Sequence, residues 1–269
     1  MSFIEKLADA VRKNNSRLCI GLDPDPALMP AGVSVHDFNK AIIDATHDLV
    51  CAYKPNFAFY EAQGHDSLED LSRTVIHIPK GIPVIGDAKR GDIGNTSKAY
   101  AKAIFDYLRC DAATVNPYLG FDSVEPFLQY KEKGIFILCR TSNSGAADFQ
   151  SLRCETEKGL LPLFEIVAEK ANAWNKYGNI GLVVGATAPE ELKRIRQNYP
   201  DMPLLIPGVG AQGGDLAQTV SNGFDAQGEL TIINSSRQII YASRGRDFAQ
   251  AARTAAQTLR DQINRHFEQ

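Results

Sequence analysis

No two cysteines in this chain are spaced C-x-x-C, and the five present, Cys19, Cys51, Cys110, Cys139 and Cys154, are odd in number. That argues against a disulfide framework or a zinc site and for a reducing compartment. The five histidines, His36, His47, His65, His77 and His266, form no H-x-x-x-H pair, so the helical spacing of metal ligands is missing too. No stretch reaches about 18 consecutive apolar residues. The opening MSFIEKLADAVRKNN is amphipathic and mixed in charge, without the apolar centre of a signal peptide. A cytoplasmic protein is expected. Net charge is small, -3 from 29 basic and 32 acidic residues. That excludes the broad basic footprint of a nucleic-acid binder but leaves room for a local pocket that takes a small anion. No Ser/Pro linker, low-complexity tract or change of composition divides the chain, so residues 1–269 read as one domain.

What the chain does have is a recurring pattern. Eight short apolar or β-branched runs fall at 17–23, 49–55, 82–89, 112–117, 134–140, 180–186, 203–209 and 230–236. Most are continuous rather than alternating, as in parallel strands buried on both faces. Between them, VHDFNKAIIDATHDLV, SKAYAKAIFDYLR, SVEPFLQYKEK, LPLFEIVAEKANAWNKYG and APEELKRIRQNY place apolar residues three and four apart. Several open on Ser, Thr or Asp, where an N-cap belongs. About eight strand–helix alternations predict an α/β fold of the (β/α)8 TIM barrel type, with a closing helix over residues 248–269. A doubly wound open sheet is the alternative arrangement of the same units.

In such a barrel, ligands are handled where the strands end. Polar residues collect at that end only: Asp23, Lys54, Asn56, Asp87, Lys89 and Asn116, then CRTSNSG at 139–145, PGVGAQGGD at 207–215 and NSSR at 234–237. Alternation along an extended segment aims Asp87 and Lys89 the same way, with Asp92 at the following turn and Lys54 one strand over. A lysine flanked by carboxylates within about 4–6 Å keeps its proton, which makes it an acid. The neutral amine of a Schiff-base aldolase needs an apolar pocket or a cationic neighbour instead. Asp87 and Asp92 could bind magnesium, but Lys89 already supplies a cation between them, so no metal is expected. The bland alternative is a solvated ion-pair cluster.

The glycine-rich 207–215 and the segment after it fall where these barrels commonly hold phosphate, after the seventh and eighth strands. Gln212 could hydrogen-bond a phosphate oxygen, and Arg237 offers a charged fork. A tight turn with a surface arginine is the plain reading of the same residues. RTSNSG suits a mobile loop that hydrogen-bonds a polar ring through Ser142 or backbone amides. Trp174 sits at helical spacing and reads as packing.

Taken together, IGLDPDP, YKPNFAFYE, GDAKRGDIGNTSKAYA, RTSNSG, PGVGAQGGD and NSSRQIIYA span nearly the whole chain and resemble the orotidine 5'-phosphate decarboxylase family, in its longer, type 2 branch. The resemblance implies a cofactor-independent carboxy-lyase that turns orotidine 5'-monophosphate into uridine 5'-monophosphate and CO2, the last step of de novo pyrimidine nucleotide synthesis. It implies that Lys89 protonates pyrimidine C6, that Asp87 lies beside the departing carboxylate, and that Lys54 and Asp92 complete an alternating charge array. A homodimer with shared sites is also implied, in which Asp92 and Thr96 serve the neighbouring cleft. Asp23 and Lys54 would contact the ribose hydroxyls and Ser142 the pyrimidine. Pro207 would line the substrate, with Gln212 and Arg237 at its 5'-phosphate. Two positions depart from the family pattern: Ser144, more often proline, and Ser236, often glycine in the shorter branch. The rival readings are a sugar-phosphate enzyme that shares D-x-K-x-x-D and holds an enediolate on magnesium, a Schiff-base aldolase, and a nucleotide-binding module without turnover.

Overall fold

The computed structural model describes residues 1–64, 67–210 and 213–268. Its strands are β1 (Leu18–Leu22), β2 (Ala52–Pro55), β3 (Ile85–Arg90), β4 (Ala112–Val115), β5 (Gly134–Arg140), a hairpin of β6 (Arg153–Thr156) and β7 (Gly159–Pro162), then β8 (Ile180–Val184), β9 (Leu204–Pro207) and β10 (Thr231–Ser235). All but the hairpin lie in one sheet in the order β2-β1-β10-β9-β8-β5-β4-β3, and the pairings within it are parallel. Bridges from Tyr53 to Val84 and from Asn56 to Asp87 bring β3 back against β2. The sheet closes on itself, which makes the chain a (β/α)8 barrel and rules out the open doubly wound sheet. Each of the eight expected runs overlaps one barrel strand, β3 extending one residue past its run to Arg90.

The continuous apolar runs are explained by burial on two sides. Inward-facing Cys19, Ala52, Ile85, Phe136, Val183, Leu205 and Ile232 fill the barrel. Outward-facing Ile20, Val115, Ile137, Leu182, Ile206 and Ile233 join a larger apolar layer under the helices. Each valine, leucine, isoleucine or phenylalanine among them contributes roughly 1.5–3 kcal/mol when fully buried. Cys51, Cys110 and Cys139 are part of this packing, and burial pushes their thiols up to about 12, so they act as small apolar residues.

The helix Phe3–Asn14 seals the N-terminal end of the barrel. Ser2 and Glu5 cap it reciprocally, the Ser2 N–H donating to Glu5 Oε2 at 2.8 Å. Phe3 meets Phe136 edge-on with ring centroids 5.6 Å apart, and Lys6 pairs with Asp111 at 2.7 Å. Gly134 makes this seat possible, since a Cβ there would lie 2.5 Å from the Phe3 ring. With that end closed, the mouth lies where the strands end. Among the described residues, no helix is long and apolar enough to cross a membrane.

Three local features depart from the sequence reading. The antiparallel β6–β7 hairpin follows the RTSNSG loop, where only a mobile loop was expected; it is largely exposed and leaves no buried run to read. Ser97 and Ser123 open their stretches like caps but lie inside the helices Gly94–Lys102 and Phe121–Leu128. Buried Ser97 Oγ donates to the Ser123 carbonyl at 2.7 Å, tying the two helices together. Finally, the ladder between β3 and β4 shifts register between Gly86 and Arg90, so the shared aim of Asp87 and Lys89 into one cleft does not come from simple alternation.

Candidate active site

A cleft of about 570 Å³ opens at the C-terminal strand ends. Of the residues singled out in the sequence, Asp23, Lys54, Asn56, Asp87, Lys89, Ser142, Pro207 and Arg237 line it. Asp87 is its centre. The Oδ2 atom accepts from Lys54 Nζ and Oδ1 from Lys89 Nζ, each at 2.7 Å. The side chains of Lys54 and Asp87 are 6% and 8% exposed, whereas that of Lys89 is 49% exposed. Lys54 is therefore a fixed cation in the wall, and Lys89 is the ammonium that faces a ligand.

Burial alone would push the Asp87 carboxyl up. The Lys54 and Lys89 ammonium groups overcome that and hold it well below the usual carboxylate range. Burial would likewise pull Lys54 down, but Asp87 and then Asp23 hold it above the ordinary lysine range. Lys54 is thus kept from acting as a neutral amine nucleophile. With both Asp87 oxygens bonded to ammonium groups, this carboxylate has no free edge for a metal ion. Among the described residues, no group of three or more His, Cys, Asp or Glu side chains is placed to hold one.

Asp23, at the end of β1, keeps Oδ1 buried without any hydrogen-bond partner. An acceptor left in that state costs free energy until a donor arrives, and in a ligand cleft a ligand hydroxyl is such a donor. The loop that follows is pinned by Tyr241, whose hydroxyl accepts from the Asp25 N–H at 2.6 Å and donates to the Asp23 carbonyl at 2.8 Å. Across the cleft, Gln150 clamps the base of the loop carrying Ser142. The Thr141 N–H donates to Gln150 Oε1, and Gln150 Nε2 donates to Thr141 Oγ1, both at 2.8 Å.

Arg237 is exposed at the start of the short helix Arg237–Ile240, opposite the turn through Gly208 and Gly210, whose φ angles of 99° and 73° require glycine-like freedom. Ser236, unusual for its position, fits because its neighbour is Gly21. A Cβ on Gly21 would approach Ser236 Cβ to 2.8 Å, and Ser236 Oγ donates to the Gly21 carbonyl at 3.1 Å. Gln212 lies outside the described residues.

Asp92 and Thr96 are not brought into the cleft of their own chain. Asp92 Oδ1 accepts from the Ile93 N–H at 2.8 Å, and Thr96 is exposed on the helix Gly94–Lys102. Asn116 does not line the cleft either: its Oδ1 accepts from the Tyr118 N–H at 3.0 Å. β4 contributes Thr114 instead, which sequence reading missed because a lone threonine in an apolar strand gives no signal. Asn234 was also missed as an individual residue; it is buried in the wall with Oδ1 unpartnered. Arg90 pairs with Glu61 and lies over the Tyr100 ring at 5.0 Å, which anchors the end of β3. Trp174 packs on Phe121 with centroids 5.5 Å apart, as expected of a packing residue.

Fold and cleft together define the class: a (β/α)8-barrel enzyme whose active centre is a preset array of opposite charges. Comparison with known proteins narrows the class. The chain belongs to the orotidine 5'-phosphate decarboxylase / HUMPS family, whose profile matches residues 16–254. It is 58% identical over 266 residues to the orotidine 5'-phosphate decarboxylase of Dehalococcoides mccartyi (strain CBDB1), covering 99% of this chain and 98% of that one. It is 52% identical over 273 residues to the protein of the same name from Ralstonia nicotianae (strain ATCC BAA-1114 / GMI1000), covering 99% of both. The solved structure of Leishmania donovani OMP decarboxylase matches over 100% of both chains, with a TM-score of 0.87 and 40% sequence identity.

Proposed function

We propose that this protein decarboxylates orotidine 5'-monophosphate to uridine 5'-monophosphate and CO2, with residues 1–269 acting as one catalytic domain and Lys89 as the proton donor. One observation carries the reading within the family: the buried Lys54–Asp87–Lys89 chain, which presents a half-exposed ammonium at the cleft. When the bond between C6 and the carboxylate breaks, CO2 leaves and the electron pair stays at C6, in the ring plane. No π-system delocalises it there. A preset ammonium stabilises that developing charge more than it stabilises the substrate, which is how an electrostatic site lowers a barrier. Lys89 Nζ then delivers its proton to C6 and regains one from solvent. Asp87 holds Lys89 in aim and occupies the side from which the carboxylate departs.

The remaining residues bind and orient. Asp23, with its unpartnered oxygen, and Lys54 take the ribose hydroxyls; Ser142 takes the pyrimidine edge. Pro207 lines the substrate, and Gln212 with Arg237 takes the 5'-phosphate. Binding energy from that remote phosphate is used to orient the ring over Lys89. The occupied oxygens of Asp87 favour this reading over a magnesium-held enediolate. The RTSNSG, PGVGAQGGD and NSSRQI stretches support the type 2 branch, and the free thiols are in keeping with a reducing cytoplasm.

Asp92 and Thr96 do not line their own cleft, and Ile93, Tyr118 and Leu119 on the adjoining loops, with Phe121 at the start of its helix, are exposed apolar side chains. These features support a homodimer in which each subunit lends Asp92 and Thr96 to the other. Mixing the inactive Lys89→Ala and Asp92→Ala proteins tests this: a shared site regains activity on subunit exchange, and an unshared site stays inactive. The activity itself is tested by the loss of orotidine 5'-monophosphate absorbance with and without a chelator. Steady turnover in both is expected, and turnover that stops with the chelator would favour the enediolate rival.

A further inference from the structure

The backbone at Lys89 is irregular. Lys89 adopts φ = 48°, the left-handed region that a residue with a Cβ avoids unless its surroundings over-determine it. The conformation falls inside the register shift between β3 and β4. It turns the side chain so that Nζ meets Oδ1 of Asp87, only two residues back, at 2.7 Å. Such a bend needs something to hold it. On its far side, the Arg90 carbonyl accepts the Asn116 N–H at 2.8 Å, and the ladder resumes.

At the bend itself the support is one side chain from β4. Thr114 is 1% exposed, and its Oγ1 accepts the backbone N–H of Lys89 at 3.0 Å while donating to Asp87 Oδ1 at 2.9 Å. A hydroxyl can do both at once, having one proton and two lone pairs. The result is a closed ring: Lys89 N–H to Thr114 Oγ1, Thr114 Oγ1 to Asp87 Oδ1, and Lys89 Nζ to the same oxygen. Both ends of the Lys89 residue and the carboxylate that aims it are fixed through this hydroxyl.

We infer that Thr114 is a positioning residue of the decarboxylation: its hydroxyl clamps the left-handed backbone of Lys89 to the Asp87 carboxylate and so sets where the ammonium stands in the cleft. The inference rests on the decarboxylase reading above. Valine has nearly the shape of threonine but would leave the Lys89 N–H without its acceptor and Asp87 Oδ1 short of a donor. Arg237 and Asp23 bind elsewhere in the substrate and are untouched. Thr114→Val should therefore act on kcat and not on KM.

The expected result is a kcat about 10²-fold lower in Thr114→Val, the scale on which a misplacement of about 1 Å acts. KM should stay within about threefold, and Thr114→Ser should restore kcat to within about threefold of the parent. An unchanged kcat in Thr114→Val, or a Thr114→Ser enzyme as slow as Thr114→Val, overturns the inference. If Thr114→Val does not fold, Thr114→Ser against Thr114→Ala decides, since the two differ in the hydroxyl: kcat lower in Ala by at least about tenfold supports the clamp, and equal kcat overturns it. Amide hydrogen exchange at Lys89 gives a readout independent of turnover. Slow exchange in the parent and Thr114→Ser, with faster exchange in a hydroxyl-free variant, supports the clamp, and equal exchange overturns it. A parent protein that shows this exchange pattern but leaves orotidine 5'-monophosphate intact would refute the decarboxylase reading and not the clamp.

Discussion

Asp87→Asn keeps the shape of the side chain and removes the one negative charge that two lysines share. Lys54 then stays 6% exposed but loses a partner at 2.7 Å. Removing one member of a buried ion pair costs about 3–5 kcal/mol. Asp23 also attracts Lys54 and remains, so the lower end of that range, about 3 kcal/mol, is expected. At roughly 2–4 °C per kcal/mol for a chain of this size, Tm falls by about 6–12 °C. The dependence on pH has a definite sign. Asp87 is held below its ordinary value of 3.8, so its contribution is fully present above that value and is lost as pH falls through the lower, folded one. The gap in Tm between parent and variant is therefore flat above about pH 5 and narrows below about pH 4. Calorimetry of both proteins across that range is the assay. A Tm within about 2 °C of the parent near neutrality, or a gap that does not narrow in acid, would refute the reasoning.

Other substitutions separate binding from chemistry. Lys89→Ala should lower turnover by more than about 10³-fold, since the site loses its proton donor and its preset charge together. Its circular dichroism should match the parent, because half of that side chain is exposed. Arg237→Ala removes charge-assisted bonds worth about 1.5–3 kcal/mol, so KM for the nucleotide should rise about 10–100-fold with kcat changed far less. Gly185→Ala would set a Cβ 2.8 Å from Ser142 N, Cα and Cβ. The loop must move, and a raised KM with about 1–3 kcal/mol less stability by urea unfolding is expected.

The barrel was legible because its strands are buried on both faces, which writes them as continuous apolar runs, and because glycine and charge collect at one end of each. Asp87, Lys89 and Lys54 were legible as unusual charge at strand ends. The φ of Lys89 was not, since no residue type there marks a left-handed bend; the hydrogen bond it makes to Thr114 comes from the neighbouring strand, 25 residues away. The β6–β7 hairpin escaped because exposed strands carry no strong hydrophobic period. Tyr241 escaped for a similar reason: it pins the Asp23 loop from 218 residues away, and sequence spacing does not report contacts of that length. That Asp92 and Thr96 stand outside their own cleft is implied by the family resemblance but not by residue spacing, which places Asp92 at the turn directly after Lys89.

The central claim is that Lys89 delivers a proton to the carbon from which CO2 departs. Incubating the protein with orotidine 5'-monophosphate in deuterium oxide, and following CO2 together with the deuterium content of the product, tests it most directly. The account predicts one CO2 per uridine 5'-monophosphate formed, a single deuterium at C6, and neither product with Lys89→Ala. Binding of the nucleotide without release of CO2, or undiminished deuterated product from Lys89→Ala, would contradict it.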